Sequence, residues 1–207
     1  MLLAALGAVL LPGPARAAPV SAALTPQDRA DLSRVAAYLN GIHTMMARFE
    51  QVAADGSTAT GRVWMERPGR MRFEYDPPSP ILLLADRFYV YYVDKQLQEM
   101  QKVGLKFTPA WFLLRDPISF ADLEVTHFER GPRVLRITVA DPAHPDNGQL
   151  TMLFSEAPLA LRQWTIVDQQ HKATTVTIDN AQFGLALDPK LFQYQDPFPN
   201  SRSNYNP

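Results

Sequence analysis

The chain has 207 residues, of which 46% are hydrophobic and 20% charged, proportions typical of a folded domain with a sizeable core. Its formal net charge is −1, and Lys and Arg form no basic stripe, which argues against nucleic acid as a partner. Cysteine is absent, which excludes disulfides and thiolate sites.

The first residues have the pattern of an export signal. Residues 1–11 form an apolar run that is too short to span a bilayer. The sequence Ala-Arg-Ala at 15–17 then supplies the small residues of a signal-peptidase site. We therefore predict a cleaved signal peptide over residues 1–17 and a single domain over residues 18–207, with 199–207 as a flexible polar tail. A buried N-terminal helix is the alternative interpretation of the apolar run.

An amphipathic helix follows. Thr25 and Pro26 are typical of the N-cap and the first position of a helix. Leu32, Val35 and Leu39 then share one face at helical spacing. The apolar stripe of this helix must cover another apolar surface.

The rest of the chain has the pattern of many short strands separated by turns. A β-hairpin is predicted over residues 61–75, with its turn at Pro68-Gly69. Sequential short strands of this kind indicate an antiparallel sheet of many strands, curled or barrel-like. The other predicted strands cover residues 45–52, 81–85, 88–93, 99–103, 125–129, 134–140, 149–154, 161–167 and 174–183.

A short apolar segment interrupts these strands. Thr108 and Pro109 predict the start of a helix over residues 110–114, followed by another helical turn at 119–123. The helix over 110–114 is apolar nearly all round. It is therefore either a core helix or a lid that lies on the apolar face of the sheet and can leave it.

Side chains of the predicted hairpin alternate between a mainly charged face and an apolar face. The apolar face carries Val63, Met65, Met71, Phe73 and Tyr75. Arg67 is the exception, a cation at the end of the apolar face beside the turn. It is either a surface arginine whose stem lies along apolar surface or a functional cation at the rim of a ligand site. The apolar faces themselves form either a plain core or the wall of a concave ligand site.

The sequence lacks the patterns of catalytic and cofactor sites. Its four histidines are scattered without metal-ligand spacing, and no nucleophile elbow, phosphate-binding loop or dinucleotide fingerprint occurs. We therefore expect neither a metal nor a cofactor, and we do not expect an enzyme.

Several motifs resemble those of a known family. They are Phe49-x-Gln51, Gly61-x-Val63-Trp64-x-x-Arg67-Pro68-Gly69-x-x-Arg72-Phe73-x-Tyr75, Trp164-x-Ile166-x-Asp168 and Leu191-Phe192. In this order the motifs resemble the periplasmic outer-membrane lipoprotein carrier (LolA) family of Gram-negative bacteria. Two positions depart from the family pattern: Arg87 stands where the family often has glycine, and Gln170-His171 replaces a turn glycine.

The resemblance implies an α+β fold, an incomplete (half-open) antiparallel β-barrel whose concave apolar face is capped by helices. It also implies a monomeric periplasmic chaperone that takes triacylated lipoproteins from an inner-membrane ABC-type release complex. Such a carrier shields the acyl chains and delivers them to an outer-membrane lipoprotein receptor or to the outer membrane directly. The alternative is a periplasmic module on the same half-barrel that senses lipid or lipoprotein, or acts as an adaptor.

The expected site residues combine the alternation with the resemblance. Arg67 matches a family arginine that bonds to the lid and holds the empty cavity closed, so we expect it to act as a lid latch. Met71 and Phe73 match family positions at the cavity wall. The acyl-chain cavity is predicted to be lined by Val63, Met65, Met71, Phe73, Tyr75, Leu84, Trp111, Phe112, Leu114, Leu135, Ile137, Met152, Trp164, Ile166, Val176 and Ile178.

Overall fold

The computed structural model of the protein describes residues 22–198. The predicted signal peptide (1–17) and the predicted flexible tail (199–207) therefore lie outside the described residues. Within residues 22–198, no helix has both the length and the apolar character needed to cross a membrane.

The first element is helix α1, Pro26–Asn40, as its capping residues predict. The Thr25 hydroxyl accepts a hydrogen bond from the Asp28 backbone N–H at 3.2 Å, and the Asp28 carboxylate accepts one from the Thr25 N–H at 2.9 Å. This reciprocal pair satisfies two of the N–H groups that the start of a helix leaves free. The predicted apolar stripe, which includes Val35, is buried against the core.

Within the described residues, eleven strands follow. They are β1 Thr44–Val52, β2 Thr58–Glu66, β3 Arg70–Tyr75, β4 Ile81–Asp86, β5 Tyr89–Asp94, β6 Glu99–Gly104, β7 Glu124–Gly131, β8 Val134–Ala140, β9 Gln149–Glu156, β10 Leu159–Val167 and β11 Ala173–Phe183. They form one antiparallel sheet in the order β6-β5-β4-β3-β2-β1-β11-β10-β9-β8-β7. Strands β6 and β7 lie at opposite edges of the sheet and do not pair with each other. The sheet therefore does not close and forms a half-open barrel. The expected α+β fold is confirmed, and each predicted strand is present.

The connection between the two edge strands, residues 105–123, is called here the cover segment. It includes a 3₁₀ turn at Leu105–Phe107 and a short helix, α2, at Trp111–Leu114. The helix predicted over 110–114 is present, but it begins at Trp111 with Ala110 as N-cap. Thr108 does not cap it, because its hydroxyl donates back into the 3₁₀ turn at 2.8 Å. Residues 119–123 form one hydrogen-bonded turn, in which the Leu123 N–H donates to the Phe120 carbonyl oxygen at 3.3 Å, but no helix.

The main core lies on the inner face of the sheet, beneath α1 and the cover segment. The ring of Phe49 in β1 lies over Gly61 in β2, where an added Cβ would come within 2.6 Å of the ring. The same ring makes edge contacts with Phe73 and Tyr75, with ring centres 5.0 and 5.1 Å apart. An added Cβ would also collide with the Glu74 backbone carbonyl oxygen in β3, so glycine at position 61 is required by both the neighbouring backbone and the aromatic packing.

A second, smaller cluster lies on the outer face. Leu84 and Tyr91 are buried there against Tyr194 of the C-terminal segment, and the two tyrosine rings stack 4.2 Å apart. Leu84 therefore does not line the inner cavity, contrary to the prediction. Its cross-strand partner is Arg72, on the outer face. A continuous apolar run such as residues 81–85 does not reveal which face each side chain takes.

Two turns hold a side chain in left-handed backbone at the positions where the family pattern favours glycine. Arg87 has a φ of 91° and His171 a φ of 60°. Glycine adopts this region without steric cost, whereas other L-residues are strained there.

We predict that Arg87→Gly raises the free energy of unfolding by about 1 kcal/mol, because relief of backbone strain exceeds the entropy that glycine adds to the unfolded chain. Thermal unfolding is the measurement. Arg87→Ala is the matched control, since it removes the exposed side chain but keeps the Cβ. An equal gain from Arg87→Ala would show that the backbone is not the cause.

The opposite end of β1–β3 carries a polar network around Asp76. Arg48 of β1 donates to one carboxylate oxygen at 3.1 Å, and the Thr60 hydroxyl of β2 donates to the other at 2.7 Å. These hydrogen bonds, that of Arg48 first, lower the pKa of Asp76 from 3.8 to about 2. Because the folded-state pKa is depressed, the carboxylate stabilises the fold above the unfolded pKa, and this contribution is lost as the pH falls through the folded value.

We predict that Asp76→Asn is less stable than the wild type at neutral pH and that this difference shrinks as the pH falls from about 4 to about 2. Denaturant unfolding at a series of pH values measures it. Arg48→Gln, which removes the principal partner, should reduce the stability difference over the same pH window. A difference that does not change with pH would contradict the prediction.

Candidate ligand site

The predicted cavity residues other than Leu84 lie on the inner face of the sheet or, for Trp111, Phe112 and Leu114, in α2, which packs against it. They belong to the main core cluster or pack against it. Some, such as Ile137 and Met152, are fully buried, whereas others, such as Tyr75 and Ile166, are only partly buried. The inner face is therefore a continuous apolar wall.

Within residues 22–198, two small pockets remain between this wall and its cover. One, of about 110 Å³, lies between the cover segment and strands β8 and β9 and is lined by residues that include Trp111, Val139 and Leu150. The other is a cavity of about 20 Å³ beside Arg67, enough for about one water molecule. Ligand pockets typically measure at least about 300 Å³. The structure therefore shows the site closed. The cavity beside Arg67 is lined by Tyr38, Leu39, Ile42, Met45, Met65, Arg67, Met71, Leu113, Ile118, Leu161, Trp164, Ile178 and Phe183.

Among the predicted cavity residues, only Met65, Met71, Trp164 and Ile178 line the cavity beside Arg67. Several of its other lining residues were not predicted from the sequence. They are Tyr38, Leu39, Ile42, Met45, Leu113, Ile118, Leu161 and Phe183. The apolar stripe of α1 includes Leu39, and alternation along β1 places Met45 beside Phe49, so both carried a usable signal. Ile118 follows a proline and belongs to no periodic pattern.

Arg67 closes the cavity just after β2. It is buried, with only 6% of its surface exposed. Its Nε donates a hydrogen bond to the Ile42 carbonyl oxygen at 2.7 Å, and its Nη2 donates to the carbonyl oxygens of Leu39 and Ile42. Its Nη1 lies 3.5 Å from the carbonyl oxygen of Arg115 in the cover segment. One guanidinium thus contacts both elements that cover the sheet.

The environment of Arg67 is polar but contains no bound carboxylate. Leu39 and Ile42 lie at the C-terminal end of α1, where the helix dipole favours a cation. Burial lowers the pKa of Arg67, and the nearby Asp116 carboxylate partly offsets that effect. Within residues 22–198, the hydrogen bonds of this side chain all go to backbone carbonyls. Such neutral acceptors hold a cation less firmly than a carboxylate does.

Two further polar contacts attach the cover segment. The Asn40 side chain donates to the Ile118 carbonyl oxygen at 2.9 Å and accepts from the Ile118 N–H at 2.8 Å. In the hairpin turn, the Gly69 N–H donates to the Leu114 carbonyl oxygen at 2.7 Å. Beneath these bonds the apolar side chains of α2 are buried against the sheet. A few hydrogen bonds and one short apolar helix therefore attach the cover segment.

Arg115 gives the cover segment internal structure. Its guanidinium bonds to both carboxylate oxygens of Asp122, with one contact of 2.9 Å, and to the Ser119 carbonyl oxygen. It also lies 5.0 Å from the ring centre of Phe112. These contacts close the loop after α2 on itself. Sequence reasoning identified neither Arg115 nor Asn40, because neither lies in a periodic pattern.

Ion pairs fix the first half of α1 to the sheet. Asp31 is buried and bonds to Arg130 of β7 and to Arg34, which also bonds to Glu156 of β9 at 3.1 Å. Burial alone would raise the pKa of Asp31, but hydrogen bonds, led by that of Arg130, outweigh it and lower the pKa. Helix α1 is therefore held by charges in its first half and by Arg67 at its end.

The composition of the site limits its chemistry. Its wall is hydrocarbon and aromatic, with one cation at the rim. Among residues 22–198, no group of three or more His, Cys, Asp and Glu side chains is placed to hold a metal ion. The arrangement suits the burial of an apolar ligand.

Comparisons with known proteins agree with this reading. The family model for the outer membrane lipoprotein carrier protein LolA matches residues 40–195. An outer-membrane lipoprotein carrier protein of Legionella pneumophila (strain Paris) is 28% identical over 168 residues, which cover 77% of this chain and 82% of that protein. Another, from Pseudomonas paraeruginosa, is 26% identical over 179 residues, which cover 82% of this chain and 86% of that protein.

Among solved structures, a DUF1329 family protein from Desulfovibrio piger is similar in fold. Its TM-score is 0.51 at 7% sequence identity, over 79% of this chain and 95% of that one. This likeness concerns the fold alone. Since the family model covers well over half of the chain, the chain belongs to the LolA family of outer membrane lipoprotein carrier proteins.

Proposed function

We propose that this protein is a periplasmic carrier that binds the acyl chains of lipoproteins and takes them from the inner to the outer membrane. The observation that carries the proposal is the closed apolar site: a continuous hydrocarbon wall, covered by elements that one buried arginine joins. Family membership and the names of the relatives support the same role.

The energetics of acyl chains explain why a carrier is needed. Each buried CH₂ group contributes about 0.8 kcal/mol. A long acyl chain therefore costs on the order of 10 kcal/mol to expose to water, and three chains roughly 30 kcal/mol. Unassisted transfer between membranes is negligible against such a barrier. The inner face of the sheet offers the apolar surface that would replace the membrane.

Pockets of about 20 and 110 Å³ admit no acyl chain, so binding requires the cover segment to leave the sheet. When the cover segment leaves, Arg67 breaks only its bond to the Arg115 carbonyl oxygen. It keeps its bonds to Leu39 and Ile42. A hydrogen bond to a charged group contributes only about 1.5–3 kcal/mol net, because the guanidinium regains water when the bond breaks. Burial of one acyl chain exceeds that amount. Ligand binding is therefore able to open the site, and the hydrogen bond from Arg67 to Arg115 favours closure after release.

The partners follow from this role. The cargo would be triacylated lipoproteins released by an inner-membrane ABC-type complex, which would also supply the energy for loading. Delivery would be to an outer-membrane lipoprotein receptor or to the outer membrane directly.

We predict that Arg67→Leu keeps the fold but retains bound lipoprotein, because the closed state loses about 2 kcal/mol of polar contacts and no longer favours release. Release to outer-membrane preparations should slow by more than about tenfold. The measurement is co-purification of the soluble complex with a tagged, acylated lipoprotein, followed by its transfer.

Arg136→Leu is the matched control. Arg136 is exposed on β8, forms an ion pair with Glu129 of β7 at 3.0 Å, and does not line the cavity. Wild-type transfer by Arg67→Leu would contradict the latch role. Equal binding of a lipoprotein without acyl chains would contradict the carrier function itself and favour a module that binds protein tails.

We also predict that a disulfide between Asn40→Cys and Ile118→Cys prevents acyl binding by locking the cover segment onto α1. The two residues are already in contact, and the chain has no other cysteine that could compete. Binding of a fluorescent fatty-acyl probe should be lost in the oxidised protein and restored by a thiol reductant. The two single-cysteine variants are controls. Undiminished binding by the oxidised pair would show that the cover segment does not need to move.

A further inference from the structure

The end of the sheet that carries Arg67 also exposes aromatic and basic side chains. Here the turn between β4 and β5 lies beside the start of the cover segment, and the Leu105 N–H donates to the Phe88 carbonyl oxygen at 2.8 Å. We call this region the aromatic tip. It consists of Arg87, Phe88, Tyr89, Lys102, Lys106 and Phe107.

The aromatic side chains of the tip are unusually exposed for their size. Phe88 is 73% exposed, Phe107 57% and Tyr89 41%. Exposed apolar groups that cluster, rather than lie singly, usually mark a surface that binds something. None of these three side chains contributes to the core of the inner face. Packing of the core therefore does not account for these side chains.

The tip is held in a defined shape. One carboxylate oxygen of Asp86 accepts hydrogen bonds from the N–H groups of Phe88 at 3.1 Å and Tyr89 at 2.9 Å. The other accepts one from the Tyr91 hydroxyl at 2.8 Å. The turn therefore presents its side chains rigidly, so that little conformational entropy is lost on binding.

The charge of the tip is positive. Arg87, Lys102 and Lys106 are all exposed, whereas Asp86 is half-buried and engaged by its hydrogen bonds. The Lys102 ammonium lies 3.7 Å from the ring centre of Tyr89, so the cations are interleaved with the aromatic rings. Aromatic side chains beside lysine and arginine are typical of protein surfaces that bind the interface of an anionic membrane.

We propose that the aromatic tip binds the surface of an anionic phospholipid bilayer, with Phe88 and Phe107 entering the interface and the three cations facing lipid phosphates. The side chains protrude from two turns rather than lining a groove, which favours a lipid surface over a protein segment. The inference deepens the proposed function, since a carrier must release its cargo at a membrane. The binding itself requires no cargo.

The position of the tip determines which part of the protein would face the bilayer when the tip is bound. The turn residue Gly69 packs against Arg87, since an added Cβ would lie 2.7 Å from the Arg87 Cα. The same glycine donates its N–H to Leu114 in the cover segment. A carrier bound through the tip would therefore hold the Arg67 end of its cavity next to the bilayer.

Vesicle flotation with purified, cargo-free protein tests the proposal. Vesicles of phosphatidylethanolamine and phosphatidylglycerol should carry the wild type upward, and salt should weaken this binding because the cations act electrostatically. The double variant Phe88→Ser/Phe107→Ser should bind at least roughly tenfold more weakly, and so, on anionic vesicles alone, should Lys102→Gln/Lys106→Gln. Phe88→Ser alone gives a second, smaller loss if the packing of Phe107 proves necessary for folding.

Leu97→Ser is the matched control, because Leu97 is 65% exposed but lies in the turn at the other end of β5 and β6. The proposal would be overturned if Leu97→Ser lost as much vesicle binding as the tip variants. It would also be overturned if the wild-type protein did not float with the vesicles. If vesicles do not bind but the tip variants still fail to deliver lipoprotein, the tip docks on a protein instead. Because no lipoprotein is present, failure here leaves acyl carriage untouched, and failure of the Arg67 experiment leaves tip binding untouched.

Discussion

An antiparallel sheet whose edges do not meet leaves an apolar inner face that must be covered, and the rest of this structure depends on that constraint. Within residues 22–198 the cover comes from two elements, α1 and the segment that joins the edge strands. Neither closes the barrel by backbone pairing with the edges. The sheet is therefore stable through its own ladders, while its inner surface depends on side-chain contacts that can break separately. On our proposal, this division lets the cover segment open without unfolding the sheet.

Arginine suits the junction between the two covering elements for a physical reason. A planar guanidinium has five donors, so it reaches the carbonyl groups of Leu39, Ile42 and Arg115 at once, which an ammonium group does not. It also stays charged when buried, because the ordinary pKa of a guanidinium lies far above neutral pH and burial lowers it only from there. Its acceptors are neutral, so opening leaves no unpaired carboxylate in the core. The cost of opening is therefore lower than for a buried ion pair, whose separation strands a charge.

The sequence was most informative where side-chain periodicity and local capping decide the structure. Alternation placed Met71 and Phe73 on the inner face and Arg67 at its rim, and the Thr25 cap predicted where α1 begins. Alternation did not predict the face of Leu84, because every residue of an apolar run is apolar whichever face it takes. The outer face of the sheet is also covered at this point, so Leu84 is buried there. The C-terminal segment that covers it carries no periodic signal.

The contacts that hold the cover segment were beyond sequence reasoning for another reason. Asn40 binds the backbone of a residue 78 positions away, and Arg67 binds one 48 positions away. Such side-chain to backbone bonds depend on the final approach of elements, and they leave no pattern of residue types at the acceptor end. Only turn chemistry gave a partial signal: Arg87 departs from the family glycine, and its φ is indeed one that glycine prefers.

The hairpin turn explains why Arg67, the cover segment and the aromatic tip lie at one end of the sheet. Gly69 has a φ of 79°, and its missing Cβ lets the turn approach Arg87 closely. Its N–H reaches the end of α2, and Arg67 lies two residues before it. A larger residue at position 69 would therefore separate the turn from the tip and the cover alike. The glycine does more than permit a tight hairpin: it keeps the turn beside Arg67 in contact with the cover segment and with the surface through which, on our proposal, the protein meets a membrane.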